Sequence, residues 1–310
     1  MVDAAPPRAL AKTAGNIGLA LILQMFASIA ATLTVFWSSG GKASLTSGLP
    51  SLLENLAVYL LSMVVGIITL ACLLRKNLMR TIPFRPVRHA ARLPEWLAAA
   101  LGASFLASLV LWVLNAAGVS LKSNTIAFPN TPGAAAVYLL LFCVAAPVME
   151  ECLFRGLIFQ SLRRYGERFA ILFSALLFAL AHANLAQLPL TFLLGLVLAG
   201  AVLVFDSIFA SMLLHTAVNG LSALVLFLEQ SSGAAAGQTV FVLVGALSMG
   251  IVAVALLRAW KSGKLRAFIE HRPVSPYPMR ALLRSAEMVP GMYAFTVTSV
   301  LFMLLSCLNG

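Results

Sequence analysis

Nine apolar stretches, at residues 15–36, 52–74, 96–117, 134–162, 169–184, 185–204, 206–228, 238–257 and 288–308, leave this 310-residue chain little else to fold with. A helix needs about 20 apolar residues to cross the ~30 Å hydrocarbon core of a bilayer, and most of these stretches reach that length. A soluble domain carries charge on roughly a quarter of its residues. Here charged residues make up 10% and the mean hydropathy is +0.98, so the chain cannot clothe a water-facing surface. The expected fold is all-α, a polytopic integral membrane bundle of eight to nine transmembrane helices. The count is eight to nine because 169–184 is the shortest stretch and 169–228 leaves almost no connecting residues. The first stretch exceeds the h-region of a signal peptide and is read as a retained helix.

The net charge of +11 is distributed by side rather than gathered into a patch. Arg8 and Lys12 precede the first stretch, and the loop 75–95 is basic. Arg163, Arg164 and Arg168 follow the fourth stretch, and a second basic loop covers 258–287. The opposite side receives only Lys42 and Lys122. Cytoplasmic loops accumulate Lys and Arg, so the N-terminus is expected in the cytoplasm and the protein in an inner or plasma membrane. The charge is then a topology signal with some attraction to anionic lipid. The charge therefore points to the lipid bilayer as a partner and not to nucleic acid. Prolines punctuate both basic loops, which read as solvated connections. The chain is read as N-terminal membrane helices (1–133) that include the first basic loop, a compact core of closely connected spans (134–228) and C-terminal membrane helices (229–310) that include the second. Cys72, Cys143, Cys152 and Cys307 lie in apolar segments without metal-ligand spacing and read as small buried hydrophobes.

Against that background the stretch APVMEECLFRG at 146–156 stands out. An ionisable side chain near the bilayer centre costs about 2.5–3.5 kcal/mol on insertion scales, so each one asks for a reason. Of the chain's 21 Lys and Arg residues only Arg155 lies within an apolar stretch. Glu151 and Arg155 share a helix face in the favourable acid-before-base order and can pair. Glu150, turned by about 100° from Glu151, is left over. Pro147 lacks an N–H and can distort the helix just upstream. Counting from the basic ends, Glu150 and His182 each lie about 20 Å into the membrane at 1.5 Å per residue. On the same count His215 lies ~13 Å and Asn219 ~20 Å along the seventh stretch. His215 and Asn219, four apart, face one point. Three helices thus carry unexplained polar groups to a similar level. Gly195 and Ala199 have the small-xxx-small spacing of close helix contacts.

A glutamate, two histidines and an asparagine suit hydrolysis of an amide. A carboxylate shielded from bulk water becomes a stronger base and can take a proton from an attacking water. A histidine can position that water. A second histidine and a carboxamide can donate to the oxyanion that forms on the carbonyl. No convincing nucleophile offers a covalent route: Ser211 has no acid–histidine relay, and Cys152 sits in apolar surroundings that keep a thiol inert. The expectation is a site without a cofactor. Zinc held by Glu150, His182 and His215 is the alternative, although no HExxH is present.

These motifs resemble those of the CAAX prenyl protease and bacteriocin-processing (CPBP, or Abi) family of intramembrane peptidases, to which the Rce1-type prenyl endopeptidases belong. The pattern EExxxR is met by Glu150, Glu151 and Arg155, FxxxH by Phe178 and His182, and HxxxN by His215 and Asn219. The resemblance covers roughly residues 134–228. It implies a catalytic set of Glu150, Glu151, His182, His215 and Asn219, supported by Arg155 and Phe178. In that set Glu150 activates water with His182 assisting, His215 and Asn219 bind the oxyanion, and Glu151 pairs with Arg155. It also implies a peptide or membrane-protein substrate and access from the cytoplasm. The substrate stays open, since some relatives trim prenylated C-terminal tails and others act on bacteriocin-type peptides. Two other readings of the same polar groups remain: a proton- or cation-coupled transporter, and a non-catalytic scaffold or bacteriocin-immunity protein.

Overall fold

The computed structural model describes residues 8–40, 48–121, 127–263, 275 and 277–308, so Lys42 and Lys122 lie outside the described residues. Among the described residues, and apart from short helical turns within 75–95, ten helices carry the fold, one for each apolar stretch and one more. They are α1 (Arg8–Ser38), α2 (Leu49–Leu73), α3 (Leu93–Ala116) and the composite helix α4 (Pro132–Tyr165). Then come α5 (Glu167–Ala181), α6 (Leu188–Phe205), α7 (Ile208–Ser232), α8 (Ala234–Lys261), α9 (Met279–Glu287) and α10 (Pro290–Leu308). Seven are long and apolar enough to cross a membrane, and α9 with α10, bent by 84°, makes an eighth if the pair counts as one span.

The difference from nine lies in α5. Its 15 residues reach only about 22 Å, short of a ~30 Å hydrocarbon core. Phe169, Phe173, Leu177 and Phe178 are buried, so protein rather than lipid encloses this helix. At its C-terminus Ala183 takes a left-handed φ of 47°, which ends the helix. The Asn184 Oδ1 then accepts hydrogen bonds from the N–H groups of Ala186 and Gln187 and turns the chain into α6. Irregular backbone at membrane depth is tolerated where protein buries it in this way.

The outer surface is apolar. Trp112 on α3, Leu243, Leu247 and Leu257 on α8, and Leu301 and Leu304 on α10 are all exposed. A bilayer satisfies that surface and water does not. Inside, α5 and α6 approach closely, because a Cβ on Gly195 would stand 3.0 Å from Ala175 Cα. The small-xxx-small expectation for Gly195 is met.

Both basic segments are more structured than the expected solvated connections. Residues 75–95 dock on the α6–α7 turn. Pro83 O accepts from Ile208 N (3.0 Å), Phe205 O accepts from Arg88 N (3.1 Å), and Arg85 pairs with Asp206 at 2.7 Å. Ile82 is buried against Gly156 of α4, while the Arg85 and Arg88 side chains stay exposed. Within 258–287, the amphipathic α9 buries Leu282 and Ala286 against the bundle. Hydrophobic anchors between arginines give such a loop something to bury, which a count of charge overlooks.

Helix α1 is sandwiched between α2 and α10. Its contact with α10 is backbone to backbone, since a Cβ on Gly18 would fall inside the chain at Gly291. A Cβ on Gly15, by contrast, meets only Val289 at 3.9 Å, ordinary contact. Gly18→Val is therefore expected to destabilise by at least the ~1–3 kcal/mol typical of overpacking, and Gly15→Ala by little. Thermal unfolding in detergent checks both, and equal midpoints for the two variants would contradict the close approach.

Candidate active site

Helix α4 is not a uniform rod. Two π-helical segments, Leu140–Ala145 and Cys152–Ile158, flank the six α-helical residues Ala146–Glu151. Pro147 supplies the local reason at the first of them: without an N–H it cannot bond a carbonyl one turn back. The loosened carbonyls take partners from α7 instead. Cys143 O accepts from Thr216 Oγ1 at 2.8 Å, and Phe142 O accepts from Asn219 Nδ2 at 2.7 Å. Single π turns inside α-helices recur at functional sites. Here they set the rotation of Glu150 and Glu151.

Glu151 faces the protein interior, with no exposed surface on its side chain. Arg155 Nη1 lies 3.2 Å from its Oε1, and Arg155 Nη2 donates to Gly195 O at 3.4 Å. The guanidinium sits 4.2 Å from the centroid of the Phe178 ring, a cation–π arrangement that supports a buried charge where water cannot. Phe178 also meets the rings of His182 and His215 edge-on at 4.7 and 5.7 Å. One aromatic ring thus organises the arginine and both histidines. Glu151 Oε1 has a further partner, His215 Nδ1 at 3.0 Å. Beside Arg155 the carboxyl is read as ionised, so Nδ1–H donates and Nε2 is turned the other way.

Glu150 Oε2 stands 3.8 Å from that Nε2. Its Oε1 accepts a hydrogen bond from the hydroxyl of Tyr59 on α2 at 2.9 Å, and the same hydroxyl lies 3.3 Å from Ala146 O. His182 caps α5, with Nδ1 at 2.8 Å from Phe178 O. A carbonyl can only accept, so Nδ1 carries a hydrogen and donates it, which leaves Nε2 turned away from Phe178 O. Asn219 is part site and part clamp: one amide hydrogen holds Phe142 O and the other is left for the cavity. Ser211, fully buried, bonds Ile208 O within its own helix.

Glu150, His182, His215 and Asn219 line one cavity of about 500 Å³, with Tyr59 and Phe178 in its wall. The expected convergence of three helices on one space is found. Glu151 and Arg155 lie behind it and do not line it.

Residues 132–221 match the family model described as type II CAAX prenyl endopeptidase Rce1-like. That segment is similar to an Rce1-like domain. Its bounds take in α4 to the middle of α7, and hence every residue of the three motifs. No curated protein and no solved structure gives a significant match. At the level of the family the domain is that of an endopeptidase embedded in a membrane. The cavity is larger than the Rce1-like domain, because Ser28 and Thr32 of α1 and Asn55 and Tyr59 of α2 complete its wall. Sequence reasoning missed Tyr59, since a tyrosine on an apolar helix carries no desolvation penalty that demands an explanation. Among the described residues no group of three His, Cys, Asp or Glu side chains stands close enough together, as placed, to hold a metal ion.

Proposed function

We propose that the chain is an intramembrane endopeptidase in which Glu150 activates a water for attack on a peptide carbonyl. The observation that carries this reading is the Glu150 carboxylate, held by Tyr59 and facing His215 across a cavity large enough for a peptide segment. Oε2 takes a proton from the water, and the resulting hydroxide attacks the carbonyl carbon. The water is positioned by a hydrogen bond to His182 Nε2. His215, held through Nδ1 by Glu151, turns the other edge of its ring to the oxyanion, where the second amide hydrogen of Asn219 joins it. Arg155 in turn holds Glu151 in place. As the tetrahedral intermediate collapses the C–N bond breaks, and Glu150 returns its proton to the departing amine. No step passes through a metal.

The test compares protein N- and C-termini in membranes expressing the wild type and Glu150→Gln at matched levels. New termini produced by the wild type alone are the expected result. Identical termini from two equally abundant folded proteins would move the reading to a scaffold or a transporter. A metal chelator such as EDTA or 1,10-phenanthroline is expected to leave the cleavage rate unchanged. Loss of activity with recovery on adding zinc would overturn the metal-free mechanism.

A further inference from the structure

The cavity has a direction. Arg8, the loop after α2, the turn after α4 and the α6–α7 turn mark one face of the bundle, and contacts tie them together. Arg164 Nη2 donates to Thr13 Oγ1, Arg85 pairs with Asp206, and Ser275 lies against Gly166. The other face is marked by the starts of α2 and α4, where Leu49 touches Gly133, and by the hydrogen bond between Gln230 and Asn130.

His215 is only about 10 Å along α7 from its basic-face end, whereas Leu226 in the cavity wall is ~27 Å along. On α1 the wall residue Ser28 is ~30 Å from Arg8, and on α2 Asn55 is ~27 Å from Leu73. Tyr138 and Asn55 lie within about 9 Å of the far ends of their helices. The walls therefore rise from the glutamate–histidine floor away from the basic face.

Beneath the floor the protein is closed. Arg155, Phe178, Ile158, Phe159, Phe205 and Ser211 have no exposed surface. Above it, Ser28, Thr32, Asn55 and Ser222 interrupt apolar helices and all turn to the same cavity, with Thr32 and Ser222 exposed. Hydroxyls and a carboxamide line a wet passage more readily than a lipid-filled one.

We infer that the site opens on the face opposite the basic loops. Since basic loops mark the cytoplasmic side, the substrate is a peptide segment presented at the extracytoplasmic leaflet. A C-terminal tail in the cytoplasm would meet the closed floor. The word substrate rests on the peptidase reading, whereas the direction of opening stands on geometry alone.

Cysteine labelling tests the direction in the full-length protein. Ser222→Cys, Thr32→Cys and the basic-face reference Lys261→Cys are made singly in a background whose four native cysteines are replaced by alanine. A membrane-impermeant maleimide is applied to right-side-out and to inside-out vesicles. Ser222→Cys and Thr32→Cys are expected to react in right-side-out vesicles, and Lys261→Cys only in inside-out ones. Reaction of all three from one side would overturn the inference. So would reaction of Lys261→Cys in right-side-out vesicles, or a mouth that reacts only after denaturation. None of these outcomes depends on proteolysis, so failure here and failure of the Glu150→Gln comparison remain separate results.

Discussion

Glu150→Gln is expected to lower the turnover of a cleaved peptide by about 10²–10⁴-fold, the usual contribution of a general base. The substitution keeps shape and leaves the side-chain oxygen that accepts from Tyr59, so the variant folds and still admits peptide. Peptide affinity should change little while the rate collapses, because the loss falls on the step that removes a proton from water. Tyr59→Phe provides a graded comparison. It removes one hydrogen bond to a charged acceptor and is expected to slow turnover about tenfold or more, with KM nearly unchanged. A Glu150→Gln protein that cleaves at the wild-type rate would remove Glu150 from the chemistry. A Tyr59→Phe protein with wild-type kcat would reduce the tyrosine to packing.

The second large effect is on folding. Glu151 and Arg155 are buried side by side, with side-chain exposures of 0% and 1%. Removing one partner from a buried ion pair costs about 3–5 kcal/mol, because the other charge is stranded. Arg155→Met and Glu151→Gln are each expected to reduce the yield of monodisperse protein in detergent sharply. The double variant, which strands no charge, is expected to recover much of that yield and to stay inactive, since His215 Nδ1 no longer meets a carboxylate. Size-exclusion profiles with a thermal midpoint measure the first two statements and peptide cleavage the third. Single variants as stable as the wild type would contradict a structural role for the pair.

The candidate site was legible because charge is expensive in a bilayer. Glu150, Glu151, Arg155, His182 and His215 each demand a partner, and helical spacing brings those demands to a common depth. The same reasoning pairs Glu151 with Arg155, as the structure does, and leaves Glu150 without the Tyr59 and His215 contacts that the structure gives it. Cheaper features were hidden. Tyr59, Ser28 and Thr32 sit on apolar helices without a penalty large enough to be noticed, so the contribution of α1 and α2 to the cavity could not be read. Pro147 announced a distortion without saying that it would be two π segments, or that Thr216 and Asn219 would satisfy the loosened carbonyls. The bond from Asn219 to Phe142 O was equally hidden, since spacing alone does not show which carbonyl an amide holds. Hydropathy likewise leaves open whether α5 is a span, because an apolar helix sheathed in protein and one bathed in lipid have the same composition.

The backbone contact between Gly18 and Gly291 joins the first described helix to the last. A ribosome releases α1 long before α10, so during insertion the glycine-bearing face of α1 must wait in lipid or against a temporary companion. A chain that stops after α8 would present that groove permanently, open to any membrane helix with a small-residue stripe. Biogenesis of this bundle therefore includes a late step that closes α10 on α1, and its quality control has a natural checkpoint in whether α1 is still uncovered.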